Sequence, residues 1–280
     1  MDSSNFKAST PVLEKYLKAI LKIFEDKLGF LPASVISFGS AAKGGFNHKI
    51  SDADFLIVLD DGVGGAARRA VFSYMLTLQE YFFKARGSSL LDRLLYFFET
   101  GTGMFKSFFI CFERDLLSAS FHRVFNVNRF LSWLTVPGKL ILNSVFSSCR
   151  VVYGKKYDFK IFKRGLNSLQ IFKSFMLCSL LYLFFILINC FKPAFKYFYE
   201  SIKWSLLNCY FYLTGGSVKV KEAALFFKKL LECEALDRFL FYQGRGFKSN
   251  LKEYFNFYRL IFSLHFKAPK LLAGRKLQLV

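Results

Sequence analysis

The chain has 280 residues, of which 53% are hydrophobic and 19% aromatic, a composition that argues against intrinsic disorder and provides for a sizeable core. Its length fits one large domain or two of ordinary size. The formal charge is +20 and is uneven, since residues 1–154 hold 18 Lys/Arg and 13 Asp/Glu whereas residues 155–280 hold 22 and 7. A field of this sign attracts nucleic acid or anionic lipid, although a solvated Lys-rich surface gives the same count.

The six cysteines are scattered along the chain without a CxxC pair. This pattern predicts reduced, buried thiols rather than a disulfide framework or a zinc site. The opening residues, MDSSNFKASTPVLEKYLK, lack the apolar core of a signal peptide. Both features predict a cytoplasmic protein.

The first predicted elements lead to and from a Gly-Ser pair. A helix is predicted over 11–29, because Pro11 suits a first turn and the apolar residues that follow recur at helical spacing. A strand is predicted over 34–40, then a loop over 41–51 and a second strand over 53–60. The second strand is apolar on both faces, so we expect it to be central in its sheet.

The remaining predicted elements precede a change of pattern near residue 157. Helices are predicted over 66–86 and 88–98, a strand over 105–113, a mixed helical stretch after it, and a short strand over 150–157. Beyond that point the patterns are helical throughout. We therefore predict an α+β domain over residues 1–157 and a basic, apolar helical-bundle domain over residues 158–280.

One segment of the second half, 174–191, holds 18 residues without a charge between Lys173 and Lys192. That length just meets the requirement for a membrane-spanning helix. A fully buried helix of a bundle has the same composition, and the polar residues within the segment favour it. Both interpretations stay open, as does docking on a membrane surface.

Asp52 and Asp54 stand two residues apart at the start of the second strand. Side chains two apart on a strand point to the same face, and two adjacent carboxylates repel each other unless a cation lies between them. Mg²⁺ prefers such oxygen ligands, together with substrate phosphates. Gly39 lets backbone amides approach a phosphate closely, the Ser40 hydroxyl can donate to it, and Lys43 adds a positive charge.

The stretch GSAAKGGFNHKISDADFLIV resembles the signature of the DNA polymerase β-like nucleotidyltransferase superfamily, in its minimal nucleotidyltransferase form. In that pattern a strand ends in Gly-Ser, a loop follows, and Asp-x-Asp opens the next strand. The resemblance implies that Asp52 and Asp54 are catalytic metal ligands for Mg²⁺ or Mn²⁺. It also implies that Gly39 and Ser40 contact the triphosphate of an NTP substrate. For the two domains it implies a mixed sheet in residues 1–157 and a helical bundle in residues 158–280 that binds the acceptor or a partner.

The family pattern includes a third carboxylate in the middle of a later strand, and this chain departs from it. The strand FKSFFICFE has an acid only at its end, Glu113, which is our candidate for the third catalytic residue. A solvated residue at the end of a strand is the alternative for Glu113. A separation of more than about 8 Å between Glu113 and Asp54 would favour a non-catalytic nucleotide-binding protein over an enzyme, because metal–oxygen bonds near 2.1 Å do not bridge it.

The helical half contains a second, weaker pattern. Arg259 and His265, with five residues between them, have the spacing of the motif of HEPN ribonuclease domains, but Leu260 stands where that motif usually has a polar residue. The aromatic and basic residues nearby suit either base stacking or an ordinary amphipathic helix.

We therefore predict a nucleotidyltransferase that moves an NMP from an NTP to a hydroxyl of RNA, a protein or a small molecule by metal-ion catalysis. The alternative is a catalytically impaired nucleotide-binding or antitoxin-like regulatory protein, associated with a membrane through 174–191. The sequence leaves open the acceptor, the preferred base and the oligomeric state.

Overall fold

The computed structural model describes residues 11–43, 54–82, 107–159, 167–189, 195–242 and 251–277. The chain divides into two compact units. The first comprises Met1–Ser132 and Val145–Lys163, and the second comprises Trp133–Ser144 and Arg164–Val280. The structure thus assigns residues 133–144 to the second unit, and the domain boundary at residue 157 stays a prediction.

In the residues that the structure describes, the first unit contains a four-stranded mixed sheet. Its strands are β1 (Ser34–Phe38), β2 (Asp54–Leu59), β3 (Phe108–Phe112) and β4 (Arg150–Gly154), in the order β3-β2-β1-β4. β1 is antiparallel to both β2 and β4, whereas β2 and β3 are parallel. The predicted mixed sheet and the inner position of the second strand are confirmed.

The helices of this unit flank the sheet. They are α1 (Pro11–Ile23), which continues as a π-helical turn (Phe24–Leu28), α2 (Gly39–Lys43), α3 (Gly65–Phe82), α4 (Glu113–Leu117), α5 (Phe121–Val124) and α6 (Arg129–Thr135), whose last residues belong to the second unit. The loop predicted after β1 is wrong at its start, because Gly39–Lys43 forms a helical turn there. The helix predicted over 88–98 lies outside the described residues.

The core of the first unit fixes the direction in which β2 presents its side chains. Phe55, Ile57 and Leu59 alternate along β2 and pack with Tyr16 of α1 and Met75 of α3. Since neighbouring side chains on a strand point to opposite faces, Asp54 belongs to the other face of the sheet. β2 is therefore covered on one face by helices, and its first residue is directed away from that core.

The second unit is helical in its described residues, as predicted. Its helices are α7 (Gly138–Phe146, whose last two residues belong to the first unit), α8 (Ser168–Asn189), α9 (Phe195–Thr214), α10 (Val220–Leu231), α11 (Glu234–Tyr242), α12 (Leu251–Phe262) and α13 (Ala268–Leu277), with a π-helical turn over Ser263–Lys267. Residues 174–189 of the apolar segment form most of α8, which packs against α9 and α12.

The histidine singled out in the helical half is a buried structural residue. His265 is 2% exposed, its Nδ1–H donates to the Ile261 carbonyl at 2.8 Å, and its Nε2 accepts from the Ser174 hydroxyl at 3.0 Å. Burial lowers its pKa to about 4, which keeps the ring neutral. The ribonuclease interpretation is therefore wrong for His265, because both ring nitrogens are occupied inside the bundle.

Candidate active site

The candidate site is built where β1 ends and β2 begins. Phe38, the last residue of β1, lies directly opposite Asp54, the first residue of β2. The next residue, Gly39, has a backbone φ of +62°, a left-handed conformation that favours glycine. A Cβ atom at this position would overlap Oδ2 of Asp54 and would lie 3.1 Å from its Cγ. Gly39 therefore allows the turn and the carboxylate to occupy adjacent space.

The short helix α2 places the other motif residues. Ala41 and Ala42 are buried, whereas Gly39, Ser40 and Lys43 are partly exposed. Ser40 and Lys43 are three positions apart, so they lie on one side of the helix. Because Ala41 and Ala42 form the buried side of the helix, the Ser40 hydroxyl and the Lys43 ammonium lie on its partly exposed side, at the end of the sheet that carries Asp54.

Asp52 lies outside the described residues. The chain nevertheless places it two residues before Asp54, whose side chain is partly exposed at the start of β2. Among the residues that the structure describes, no group of three His, Cys, Asp or Glu side chains is arranged to hold a metal ion. The carboxylates of Asp54 and Asp52 are the oxygen donors that fit one Mg²⁺ ion.

Glu113, the predicted third carboxylate, is not brought to this end of the sheet. It follows Phe112, which pairs with Leu59 at the far end of β2. Leu59 lies five residues beyond Asp54, a rise of about 16 Å along the strand. The catalytic prediction for Glu113 is corrected for this reason, since β3 runs parallel to β2 and carries its last residue away from Asp54.

The contacts of Glu113 are those of a residue that stabilises the fold. Its carboxylate, with 16% of the side chain exposed, forms an ion pair with Lys155. Burial and then the nearby Glu113 carboxylate raise the pKa of the Tyr157 hydroxyl above its ordinary range. Asp61 accepts from the Arg114 backbone N–H at 3.1 Å at the same end of the sheet.

Ser107, the residue directly before β3, lies beside the start of β2 and was not singled out from the sequence. The Phe55 N–H donates to the Ser107 carbonyl at 3.1 Å, and the Ser107 N–H donates to Gln79 Oε1 at 3.2 Å. Burial raises the pKa of the nearby Tyr16 hydroxyl above its ordinary range. A serine thus stands directly before β3, at the position beside the start of β2 that an acid would need in order to reach Asp54.

Comparison with known proteins agrees with this geometry. Residues 17–94 match the family model of the nucleotidyltransferase domain, a range that includes Gly39, Ser40, Lys43, Asp52 and Asp54. The chain therefore contains a nucleotidyltransferase domain of the polymerase β-like type, as the motif predicted. Glu113 lies beyond the matched range.

The fold of the chain is similar to that of a solved nucleotidyltransferase. The crystal structure of spectinomycin adenyltransferase from Enterococcus faecialis, with ATP and spectinomycin, superposes with a TM-score of 0.53 at 13% sequence identity. The match covers 93% of this chain and 99% of that one. No curated protein sequence matched the chain. Together, the domain match and the shared fold support the predicted nucleotidyltransferase enzyme.

Proposed function

We propose that the protein transfers a nucleoside monophosphate from an NTP to a hydroxyl of a small-molecule acceptor. The observation that carries the proposal is the packing of Gly39 on the Asp54 carboxylate inside the domain matched by the nucleotidyltransferase family. The acceptor oxygen would form a bond to the α-phosphorus, the α–β phosphoanhydride bond would break, and pyrophosphate would leave as the hydroxyl gives up its proton.

Each motif residue has a task in this reaction. The Gly39 backbone would lie close to the triphosphate because no side chain stands in the way. The Ser40 hydroxyl would donate to a phosphate oxygen, and Lys43 would add a positive charge on the same side of α2. Asp52 and Asp54 would hold Mg²⁺ or Mn²⁺, which supplies the positive charge that offsets the triphosphate and favours loss of the hydroxyl proton.

The acceptor class is proposed from the shared fold. The similar structure is that of an enzyme whose acceptor, spectinomycin, is a small molecule, and the match extends over nearly the whole of both chains. The net charge of +20 disfavours a polycationic acceptor, because long-range repulsion would slow its approach. A neutral or anionic hydroxyl compound therefore fits this chain better than an acceptor with several amines.

The position of Glu113 favours one alternative function. If catalysis requires a third carboxylate close to Asp54, a serine directly before β3 leaves a domain that binds NTP and metal without turnover. Such a protein would act as a nucleotide-binding regulator, as in the antitoxin-like prediction. The two functions differ in turnover and agree in nucleotide binding.

Label transfer separates the two functions. The purified protein is incubated with each α-³²P-labelled NTP, with Mg²⁺ or Mn²⁺, and with a panel of spectinomycin, neutral and anionic sugars, and total RNA. We expect label on a small molecule, and its loss in the Asp52→Ala/Asp54→Ala double variant. Label on RNA would refute the proposed acceptor class. Metal-dependent NTP binding in calorimetry without any transfer would refute the enzyme and leave the regulator.

A further inference from the structure

The helix α8 exposes apolar side chains along its whole length. Apart from Ser168 at its first position, every exposed residue of α8 is large and apolar. These residues recur at intervals of three or four, so they share one face of the helix. We call this face the outer stripe; it consists of Leu169, Phe172, Met176, Leu180, Leu183 and Leu187, which are 39–65% exposed.

The polar side chains of α8 point the opposite way, into the helical unit. The Ser174 hydroxyl accepts from Asn208 Nδ2 at 2.9 Å and donates to His265. The Tyr182 hydroxyl donates to the Tyr254 carbonyl at 2.8 Å, and Gln170 Oε1 accepts from the Leu140 N–H at 3.4 Å. Polar groups inside and apolar groups outside reverse the pattern of a helix that faces water, and they match the pattern of helices that face lipid.

The neighbouring helix α12 adds positive charge beside the outer stripe. Phe175 of α8 contacts Phe262 and Phe266 with ring centroids 6.1 and 4.8 Å apart, and Tyr182 contacts Tyr258 at 6.0 Å, so the two helices run antiparallel. α12 itself exposes four residues that recur at intervals of three or four, and two of them are cations: Lys252, Phe255, Arg259 and Phe262.

The acidic residue of α12 is turned away from this face. Glu253 has only 15% of its side chain exposed and is paired with Arg238 Nη1 at 3.2 Å. The Tyr242 hydroxyl donates to the same carboxylate at 3.2 Å. The exposed face of α12 is therefore aromatic and cationic, with its acid neutralised inside the unit.

One end of the outer stripe carries a Trp and a Lys. Trp133 and Leu134 are 64% and 53% exposed. The Lys173 ammonium donates to the Trp133 carbonyl and lies 5.4 Å from the centroid of its ring. An exposed Trp next to a Lys at the border of an apolar surface is typical of residues at the level of lipid headgroups.

We propose that the second unit docks α8 on the surface of an anionic lipid bilayer. The outer stripe would enter the boundary between headgroups and acyl chains, while Lys252 and Arg259 face the anionic headgroups. Half of the apolar window of α8 is buried by the protein itself, so the helix lies on the bilayer and does not cross it alone. A second copy is a poorer occupant, because two faces with exposed Lys and Arg repel each other.

Vesicle flotation of the full chain tests the proposal. We expect the protein to float with vesicles of phosphatidylcholine mixed with phosphatidylglycerol and to stay behind with phosphatidylcholine alone. The Leu180→Glu/Leu183→Glu variant should lose more than about tenfold in bound fraction, because two apolar anchors are replaced by charge. The matched control is Leu225→Glu, which changes a leucine of α10 with 43% exposure and should float as the wild type does.

Further measurements keep the test independent of a folding defect. The Lys252→Ser/Arg259→Ser variant leaves the outer stripe intact and should weaken binding about 30-fold, at roughly one kcal/mol for each basic residue near the surface. In a Trp204→Phe background, Trp133 emission should shift to the blue with anionic vesicles. Wild-type protein that floats with neither vesicle would overturn the proposal. So would a dimer that Leu180→Glu/Leu183→Glu converts to monomer without any vesicle binding.

Discussion

The two ends of the central strand β2 both carry acidic residues, but their surroundings differ. At the start of β2, Asp54 packs against Gly39, and its carboxylate fills the space that a side chain at Gly39 would take. At the other end, Glu113 is paired with Lys155, and Asp61 accepts from the Arg114 backbone. The ion pair of Glu113 and the hydrogen bond of Asp61 stabilise the fold at one end of the strand. The glycine turn beside Asp54, at the other end, is where we propose that the nucleotide and the metal ion bind.

Asp54→Asn should have the largest effect, and it tests whether the start of β2 has the proposed catalytic role. The variant keeps the shape of the side chain and removes the charge that would hold Mg²⁺, so we expect metal-dependent NTP affinity and transfer to fall by more than about 100-fold. Calorimetric titration with MgATP measures the binding. The melting temperature should change little, because Asp54 is partly exposed, and a large drop in it would assign Asp54 a structural role instead.

Gly39→Ala tests the space next to the carboxylate. A Cβ at Gly39 would overlap Oδ2 of Asp54, so the variant should displace the carboxylate and lose roughly tenfold or more in transfer. It should also lose about 1 kcal/mol of stability, because its φ of +62° disfavours alanine. The transfer assay and thermal unfolding measure the two effects separately.

Gly29→Ala is the matched control for that substitution. Gly29 ends the π-helical turn with a φ of +72°, and nothing lies within 4 Å of a Cβ built there. It should therefore show the same loss of stability and retain its activity. Equal losses of activity in the two alanine variants would show that backbone strain, rather than contact with Asp54, explains the result.

His265 in the helical unit is an ionisable residue of a third kind. Burial keeps its side chain neutral, whereas Glu113 is charged and forms an ion pair. Its folded pKa of about 4 lies below the unfolded value of 6.5, so the unfolded chain binds more protons between these values. Stability from this residue is complete above pH 6.5 and falls as the pH drops toward 4, by about 3 kcal/mol in total. Chemical denaturation across this range should show the slope, and His265→Gln should flatten it.

Glu113→Gln should have the smallest effect. Loss of the ion pair with Lys155, whose side chain is 60% exposed, should reduce stability by no more than about 1 kcal/mol. Transfer should stay within roughly threefold of the wild type. A collapse of transfer with normal melting would restore Glu113 as a catalytic residue and would contradict the separation of the two ends.

The closeness of Gly39 to Asp54 was predictable from sequence because the two residues are near each other along the chain. The end of β1 and the start of β2 are antiparallel neighbours, so a short connection brings Gly39 to Asp54 whatever the rest of the chain does. The strands were also readable, since each is a short apolar run rich in β-branched or aromatic residues.

The place of Glu113 was not predictable because it depends on strand direction. An acid at the end of β3 reaches Asp54 only if β3 runs antiparallel to β2, and the register is parallel. The exposed face of α8 was not predictable from the sequence for a different reason. Its apolar residues cover every side of the helix, so no periodicity separates Leu183, which is exposed, from Leu181, which is buried.

The most direct test of the account is the rate of α-³²P label transfer by Asp54→Asn and Glu113→Gln, measured side by side with the wild type under saturating NTP and Mg²⁺. The account predicts that Asp54→Asn loses transfer by more than about 100-fold while Glu113→Gln transfers label at close to the wild-type rate. Equal, large losses in both variants would contradict it, because they would place the two ends of β2 in one catalytic site.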